Sequence, residues 1–263
     1  VRKDLIDQCP SLKIIGRGGV GMDNIDVEYA RSKGLSVINT PAASSSSVAE
    51  LVFAHLYGGV RFLHESNRNM PLQGDSNFKK LKKTYAKGVE LRGKTIGIIG
   101  FGRIGRETAK IALGIGMNVL AYDKFLKETK ITLNFMGGNS IDFEIKISPL
   151  DELLKKSDFI SLHVPAQNQY VIDKKEFELM KNGVGIVNAA RGGVINEVEL
   201  VSALESGKVS FAGLDTFENE PKPEIKLLMH PNISLTPHIG AATNEAQDRI
   251  GKELADQISN ILK

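Results

Sequence analysis

The amino-acid sequence predicts an α/β fold in which a doubly wound parallel sheet is inserted into a smaller α/β domain. Short apolar runs alternate with helical patterns over the central part of the chain, which is typical of a parallel sheet with helices on both faces. A glycine-rich motif separates the first of these runs from its helix. A shorter set of strand and helix patterns lies before residue 42 and continues after residue 238, so we expect the central domain to be an insertion.

The most informative segment is the motif Gly-x-Gly-x-x-Gly, which begins at Gly100 directly after the apolar run 95–99. In a strand–turn–helix unit Gly100 permits a tight turn, Gly102 lets a diphosphate approach the backbone and Gly105 lets the helix pack closely. The N-terminus of that helix attracts phosphate. The next apolar run, 118–122, ends in Asp123, whose carboxylate can bind both ribose hydroxyls and disfavours a 2′-phosphate. This order predicts a Rossmann-type site for NAD; the alternative is a crossover whose glycines serve packing alone.

The other elements follow in order along the chain. Before the motif we predict strands at 12–15 and 35–38, a helix at 27–33 and a long helix from Val48 to about Asn69, followed by a weakly patterned lysine-rich stretch. After it we predict strands at 159–163, 185–189, 210–215 and 233–236, and helices at 149–156, 174–181, 197–206 and 244–263. The last helix is expected to return to the first strands. Residues 1–41 and 239–263 would then form a substrate-binding domain, and residues 42–238 the NAD-binding domain.

Composition narrows the class of protein. The 263 residues carry a net charge of only +3 with both signs mixed, so neither nucleic acid nor a membrane is an expected partner, and no metal site is predicted. The single Cys9 cannot form an internal disulfide, which favours a reducing, cytoplasmic setting. The chain starts at Val1 in a helical pattern with no strand before it, so we expect the substrate-binding domain to be incomplete at its N-terminus.

Candidate chemistry lies just past the ends of the predicted strands, because ligands of open α/β sheets bind there. Arg191 stands between a small-residue strand end and two glycines, and its planar guanidinium suits a carboxylate; the alternative is a structural salt bridge. His238 follows the last strand and can give or take a proton near neutral pH. Glu218 or Glu220 can hold that imidazole, and the residues alone do not separate the two.

The remaining histidines receive structural roles. His55, His64 and His230 lie in ordinary helical or loop contexts, whereas His163, at the end of a strand, is expected to position the backbone or line the cofactor. An arginine, a carboxylate and a histidine near a nicotinamide together predict hydride exchange between a 2-hydroxy acid and a 2-keto acid.

Four ordered motifs resemble the D-isomer-specific 2-hydroxyacid dehydrogenases over nearly the whole chain. They are Gly100-Phe101-Gly102-Arg103-Ile104-Gly105, Asn188-Ala189-Ala190-Arg191-Gly192-Gly193, Phe217-Glu218-Asn219-Glu220-Pro221 and Thr236-Pro237-His238-Ile239-Gly240. The resemblance implies that Arg191 binds the substrate carboxylate, that His238 is the acid/base and that Glu220, rather than Glu218, is its partner. It also implies that Asp215 contacts the nicotinamide carboxamide. The cofactor-lining residues it implies are Gly100, Gly102, Arg103, Ile104, Gly105, Asp123, His163, Val164, Pro165, Ala189, Ala190, Asp215 and Gly240.

The loop that begins at Gly16 is similar to the substrate loop of this family, and its form with Arg17 is closest to the phosphoglycerate dehydrogenases. The resemblance implies substrate contacts from Arg17, Gly18 and Gly19, a homodimer built through the segment after Val48, and oxidation of 3-phospho-D-glycerate. The family's first βαβ unit and its C-terminal serine-binding domain have no counterpart in the sequence. Two alternatives stay open: a hydroxypyruvate or glyoxylate reductase, and an NAD-sensing scaffold similar to transcriptional corepressors.

Overall fold

The computed structural model describes residues 1–263. Its helices are α1 (Lys3–Asp7), α2 (Val27–Ser32), α3 (Ser45–Val60), α4 (Leu63–Gln73), α5 (Phe78–Thr84), α6 (Arg103–Gly114), α7 (Leu150–Lys156), α8 (Lys174–Leu179), α9 (Glu197–Glu205), α10 (Ile225–Leu228) and α11 (Asn244–Leu262). Its strands are β1 (Ile14–Arg17), β2 (Ser36–Asn39), β3 (Thr95–Ile99), β4 (Asn118–Tyr122), β5 (Glu128–Asn134), β6 (Ser140–Lys146), β7 (Phe159–Leu162), β8 (Val184–Asn188), β9 (Val209–Leu214) and β10 (Ile233–Leu235).

The chain forms two compact units. One contains Val1–Val48 and Gly240–Lys263, and the other contains Ala49–Ile239. The domain boundaries predicted from the sequence lie after residues 41 and 238, and the binding of substrate by the smaller unit stays a prediction. None of the helices combines the length and the apolar character that crossing a bilayer requires.

The larger unit contains a six-stranded parallel sheet in the order β10-β9-β8-β7-β3-β4. From β3 the chain first moves to β4 at one edge, and it later places β7 on the other side of β3. A reversal of this kind opens a crevice beyond the carboxyl ends of β3 and β7, where open α/β sheets bind their ligands. The predicted α/β fold with a Rossmann-type sheet is confirmed.

The helices cover both faces of this sheet, as two neighbouring residues of β3 show. A Cβ atom on Gly97 would meet Leu153 of α7, whereas the side chain of Ile98 lies 3.2 Å from the position of a Cβ on Gly105 in α6. Because successive residues of a strand point to opposite faces, α6 and α7 lie on opposite sides. The sheet is therefore doubly wound.

The smaller unit is built on the parallel pair β1–β2. Its apolar core contains Ile6, Ile15, Ile25 and Ala30. Helix α11 packs on this sheet, since the Gln257 side-chain amide donates to the Asn39 carbonyl at 3.0 Å. The return of the last helix to the first strands agrees with the expectation from the sequence.

The long helix predicted from Val48 to Asn69 is wrong, because the structure divides this segment into α3 and α4. The break falls at Phe62, which adopts a left-handed backbone with φ of 56°. Two consecutive glycines, Gly58 and Gly59, occupy the last turn of α3 and weaken it. The lysine-rich stretch after α4 contains α5, and its lysines at 79, 80, 82 and 83 are exposed, as expected for a basic run on a solvated helix face.

The antiparallel hairpin β5–β6 is also absent from the sequence-based prediction. Its signals are present: Ile131 and Ile145 are buried whereas Lys130 and Glu144 beside them are exposed, and two consecutive glycines form the turn. Gly137 and Gly138 take φ values of 97° and 85°, which suit a tight hairpin. The alternation of apolar and polar residues in this segment lies between two helical patterns, and the sequence-based prediction assigns no strands to it.

Candidate active site

The glycine motif forms the turn between β3 and α6. Gly100 has φ of 91°, and a Cβ there would lie 2.5 Å from the His163 carbonyl oxygen. A Cβ on Gly105 would meet the Gly100 carbonyl oxygen, so the helix packs closely on the turn. Gly102 has no atom within 4 Å of its Cβ position and provides no side-chain cap for α6. This open, uncapped helix end fits the diphosphate of a dinucleotide.

Asp123 lies beside this turn at the end of β4. One carboxylate oxygen accepts a hydrogen bond from the Phe101 amide and the other accepts one from the Phe125 amide, both at 2.9 Å. The carboxylate is therefore held against the glycine turn by two backbone donors. Lys124, its neighbour in sequence, is exposed.

His163 connects β7 to α6 through its side chain. Its Nε2 lies 2.9 Å from the Ser161 hydroxyl and 3.2 Å from the Thr108 hydroxyl. Burial lowers the pKa of His163 to about 3, so the ring is neutral near pH 7. Its carbonyl borders Gly100, and the Val164 side chain lies 2.9 Å from the same Cβ position. The backbone, rather than the imidazole, borders the glycine turn.

Most of the other predicted cofactor residues follow β7 or β8 or begin α6. Ala189 and Ala190 are buried after β8, and Arg103 begins α6 with its side chain exposed. Ile104 is half-buried in the first turn of α6, and Pro165 is exposed after β7. Gly240 belongs to the smaller unit.

Arg191 follows β8 on a turn that Asn188 holds from both sides. The Asn188 amide nitrogen donates to the Arg191 carbonyl at 2.8 Å, and its oxygen accepts from the Ala190 amide at 3.1 Å. The guanidinium of Arg191 donates to the Ala190 carbonyl at 2.6 Å. The side chain is half-buried, and its planar fork is suited to a carboxylate.

His238 and Glu220 form a direct pair at the end of β10. The imidazole Nδ1 lies 2.9 Å from Glu220 Oε2, and the side chains are 50% and 37% exposed. Glu220 is itself oriented, because its other oxygen accepts from the Phe217 amide at 3.0 Å. His238 has φ of 54°, a strained conformation for a residue with a side chain, of the kind that clusters at functional sites. Such a pair can take a proton on Nε2 while the carboxylate stabilises the imidazolium.

The structure shows which of Glu218 and Glu220 contacts His238, a choice that the residue types alone leave open. The Glu218 carboxylate accepts from the Glu197 amide at 3.1 Å, and the Glu197 carboxylate accepts from the Glu218 amide at 2.8 Å. Glu218 is thus engaged with the start of α9. Burial raises the pKa of the Glu197 carboxyl to about 7, and the Glu218 charge acts in the same direction.

Asp215 is almost fully buried after β9. Its Oδ1 accepts from the Thr236 hydroxyl at 2.6 Å and from the Ile239 amide at 2.8 Å. Thr236 also contacts His55 of α3, whose ring is 3% exposed. The sequence alone predicts an ordinary structural role for His55. The signal that sets this histidine apart is a polar ring on the apolar face formed by Val48, Val52 and Leu56.

A cavity of about 410 Å³ borders the His238–Glu220 pair. Its walls are mainly apolar, and they include Phe217, Pro221, Pro223, Leu228, Leu235 and Pro237. No lysine or arginine lines it. This cavity can take an uncharged group next to the pair, but it offers no cation for a phosphate.

Arg17, Gly18 and Gly19 lie in the smaller unit. The Arg17 side chain is exposed, and its Nε donates to the Gly21 carbonyl at 3.2 Å. The Gly19 amide donates to the Thr40 hydroxyl at 2.8 Å, so Thr40 engages one of the two amides expected to meet a carboxylate.

Comparison with known proteins identifies the family. Residues 53–240 match the NAD-binding domain of the D-isomer specific 2-hydroxyacid dehydrogenases. The chain is 46% identical to a hydroxypyruvate reductase of Thermotoga maritima over 98% of its own length and 80% of that protein. It is 42% identical to a D-3-phosphoglycerate dehydrogenase of Methanocaldococcus jannaschii, covering all of this chain but only 48% of that protein.

A solved structure supports the same assignment. The crystal structure of D-lactate dehydrogenase from Aquifex aeolicus, complexed with NAD and lactic acid, superposes with a TM-score of 0.79 at 33% identity. The superposition covers 100% of this chain and 80% of that one. The chain therefore belongs to the D-isomer specific 2-hydroxyacid dehydrogenases, a family of NAD-dependent oxidoreductases, and residues 53–240 are its NAD-binding domain.

Proposed function

We propose that the protein oxidises a D-2-hydroxy acid with NAD and that His238 is the acid/base of the reaction. The observation that carries this proposal is the 2.9 Å contact between His238 Nδ1 and Glu220 Oε2. In the oxidative direction neutral His238 takes the hydroxyl proton on Nε2, and Glu220 stabilises the resulting imidazolium. In the reductive direction the imidazolium returns this proton to the forming hydroxyl.

Arg191 binds the substrate carboxylate and orients the carbon that reacts. Its position on a turn held by Asn188 supports this role, because a positioned guanidinium loses little freedom when it binds. The chemistry that NAD would supply at this site is acceptance of the hydride from C2 of the substrate. Asp215 would contact the carboxamide, and the glycine turn with Asp123 would bind the diphosphate and the ribose.

For the substrate we propose 3-phospho-D-glycerate, oxidised to 3-phosphohydroxypyruvate as in serine biosynthesis. The similarity to D-3-phosphoglycerate dehydrogenases and the exposed Arg17 support it. Hydroxypyruvate or glyoxylate is the second candidate. The hydroxypyruvate reductase relative, of which the chain covers 80%, favours this candidate, as does the cavity without a cation beside His238.

The test is a measurement of NADH absorbance with a panel of acids on the purified full chain. The panel contains 3-phosphoglycerate, phosphohydroxypyruvate, D-glycerate, hydroxypyruvate, glyoxylate and D-lactate. We expect turnover of at least one pair, and loss of about 10²–10⁴-fold in kcat in His238→Ala. Absence of turnover on the whole panel, together with capture of a peptide partner, would support a corepressor-like scaffold instead.

We further propose that the protein is a homodimer in a reducing, cytoplasmic setting. The segment from Tyr57 to Val89 exposes six large apolar side chains, namely Tyr57, Leu63, Met70, Leu72, Phe78 and Val89. Burial of these side chains against a second copy of the chain would remove apolar surface from water, which supports the proposal. The free, exposed Cys9 is compatible with a reducing compartment. Sedimentation velocity at micromolar concentration would show a monomer if the dimer proposal is wrong.

A further inference from the structure

We propose that His55 is a positioning residue for the reaction, acting through Thr236 on the segment that carries His238. The inference rests on the proposed role of His238 as the acid/base. His55 lies in α3, and its two ring nitrogens bind Ser234 and Thr236 and not the His238–Glu220 pair. Its effect is therefore expected on the placement of the acid/base and not on proton transfer itself.

The imidazole of His55 is held between two hydroxyl groups. Its Nδ1 lies 2.9 Å from the Ser234 hydroxyl and its Nε2 lies 3.0 Å from the Thr236 hydroxyl. The site exists because residue 213 of β9 is glycine: a Cβ there would lie 2.6 Å from the His55 Cβ. A buried imidazole with both nitrogens engaged contributes orientation as well as packing.

The proton positions in this chain of hydrogen bonds follow from the number of donors. Thr236 donates its single hydroxyl proton to Asp215 Oδ1 at 2.6 Å. His55 Nε2 must then donate to the Thr236 oxygen, and Nδ1 must accept from Ser234. Burial lowers the pKa of His55, which favours this neutral form. A single tautomer thus directs a chain of donors from His55 through Thr236 to Asp215.

This chain of hydrogen bonds leads to Asp215, which binds residues on both sides of His238. Asp215 Oδ1 accepts from the Thr236 hydroxyl and from the Ile239 amide, so one oxygen holds the residues that flank Pro237 and His238. His238 adopts a strained backbone, which persists only where the surroundings enforce it. His55 is the outer support of that arrangement, since it fixes the hydroxyl through which Thr236 reaches Asp215.

The experiment compares two substitutions at His55. His55→Leu removes the donor to Thr236, whereas His55→Gln keeps a donor at a similar distance from the backbone. We expect kcat to fall about tenfold in His55→Leu, with substrate KM and NADH Kd within about threefold of wild type, since small displacements of a catalytic group cost rate. His55→Gln should recover most of kcat. His64→Leu, which loses a contact with the Pro231 carbonyl and none with Thr236, is the matched control.

A second pair of variants tests the link from the other side. Thr236→Val should lower kcat like His55→Leu, Thr236→Ser should retain it, and the double variant His55→Leu/Thr236→Val should be no slower than Thr236→Val. If His55→Leu fails to fold, the comparison of Thr236→Val with Thr236→Ser still tests whether the Thr236 hydroxyl supports the segment that carries His238.

Three results would overturn the inference. They are equal kcat in His55→Leu and wild type, equal losses in His55→Leu and His55→Gln that follow the folded fraction, and independent losses that multiply in the double variant. His238→Ala separates this failure from failure of the proposed function. If His238→Ala abolishes turnover while His55→Leu does not change it, only the role of His55 is wrong.

Discussion

At the scale of single residues, hydrogen bonds of the backbone decide which carboxylate is available to His238. Glu218 and Glu220 are two residues apart and chemically identical, yet their carboxylates have different partners. The carboxylates of Glu218 and Glu197 each accept from the other residue's backbone amide, while the Glu220 carboxylate contacts the imidazole. The difference comes from the turn after β9, where the Phe217 amide orients Glu220. Because the two side chains are chemically identical, their residue type alone does not show which of them contacts His238.

The two carboxylates therefore provide a matched pair of variants. Glu220→Gln should lower kcat for oxidation about 10- to 100-fold, because the amide can contact the ring but does not stabilise the imidazolium by charge. The NADH Kd should change by less than about twofold, since no cofactor contact is proposed for Glu220. Glu218→Gln should leave kcat near wild type. Steady-state kinetics on both variants would contradict the assignment if Glu218→Gln were the slower enzyme.

Glu197 makes stability depend on pH. Burial raises its carboxyl pKa to about 7, above the value of 4.5 for an exposed glutamate. Between these values the folded chain binds more protons than the unfolded chain at this site, so the contribution of Glu197 to stability falls as pH rises from about 4.5 through 7. Glu197→Gln removes the ionised form and can still accept from the Glu218 amide.

We expect Glu197→Gln to be more stable than wild type by about 2 kcal/mol at pH 8.5 and nearly equal to it at pH 5. Urea denaturation at the two pH values measures both differences. Glu199→Gln on the same helix is the control. A difference between Glu197→Gln and wild type that is the same at both pH values would show that ionisation of Glu197 is not its cause.

At the scale of elements, the sequence predicts what is local and repeated. The glycine motif, the parallel strands and α11 have strong local signals, and the structure contains them. The break at Phe62 depends on how the end of α3 packs, because a Cβ on Gly59 would meet the Phe211 ring of β9. Similarly, the role of His55 depends on Gly213 and Thr236, which are far from it in sequence. These contacts between distant elements could not be read from periodicity.

The placement of Asp123 beside the glycine turn predicts the cofactor preference. Its carboxylate, fixed by the Phe101 and Phe125 amides, would repel the 2′-phosphate of NADP. We expect kcat/KM with NAD to exceed that with NADP by about 100-fold, which corresponds to about 2.7 kcal/mol. Asp123→Ser should reduce the ratio of kcat/KM with NAD to kcat/KM with NADP, mainly because it weakens the binding of NAD.

Kinetics with both cofactors on wild type and Asp123→Ser give the ratio directly. Asp173→Ser, which replaces the N-cap carboxylate of α8 by a hydroxyl that can still cap the helix, is a control for loss of an acidic side chain elsewhere in the unit. Equal or better use of NADP by wild type would mean that Lys124, and not Asp123, faces the ribose.

At the scale of the whole molecule, each unit carries a different part of the proposed reaction. The larger unit contains the proposed NAD site and the His238–Glu220 pair, and its family assignment is established by the comparisons. The smaller unit contains Arg17, Gly18 and Gly19, on which the choice of substrate is proposed to depend. One relative is named hydroxypyruvate reductase and another is named D-3-phosphoglycerate dehydrogenase. The substrate in the first name has no phosphate, whereas the substrate in the second name carries one.

Arg17 should therefore determine whether a phosphorylated acid is preferred. A phosphate carries close to two negative charges at pH 7 and is bound well by a guanidinium. Arg17 is adjacent to Gly18, and its exposed side chain donates through Nε to the Gly21 carbonyl. Arg17→Ala should raise KM for 3-phosphoglycerate by the equivalent of about 1.5–3 kcal/mol, as for a lost charged hydrogen bond. It should barely change kinetics with hydroxypyruvate.

The control for Arg17→Ala is Arg31→Ala, which removes an exposed guanidinium from α2 in the same unit. Arg31→Ala should leave KM for 3-phosphoglycerate and for hydroxypyruvate unchanged, because a surface charge outside the substrate loop contributes little to substrate binding. Equal losses on both substrates in Arg17→Ala would mean that Arg17 supports the loop or the common carboxylate and does not bind phosphate. The cavity beside His238, which no lysine or arginine lines, would then favour hydroxypyruvate as the substrate, since the reaction would have no cation assigned to a phosphate.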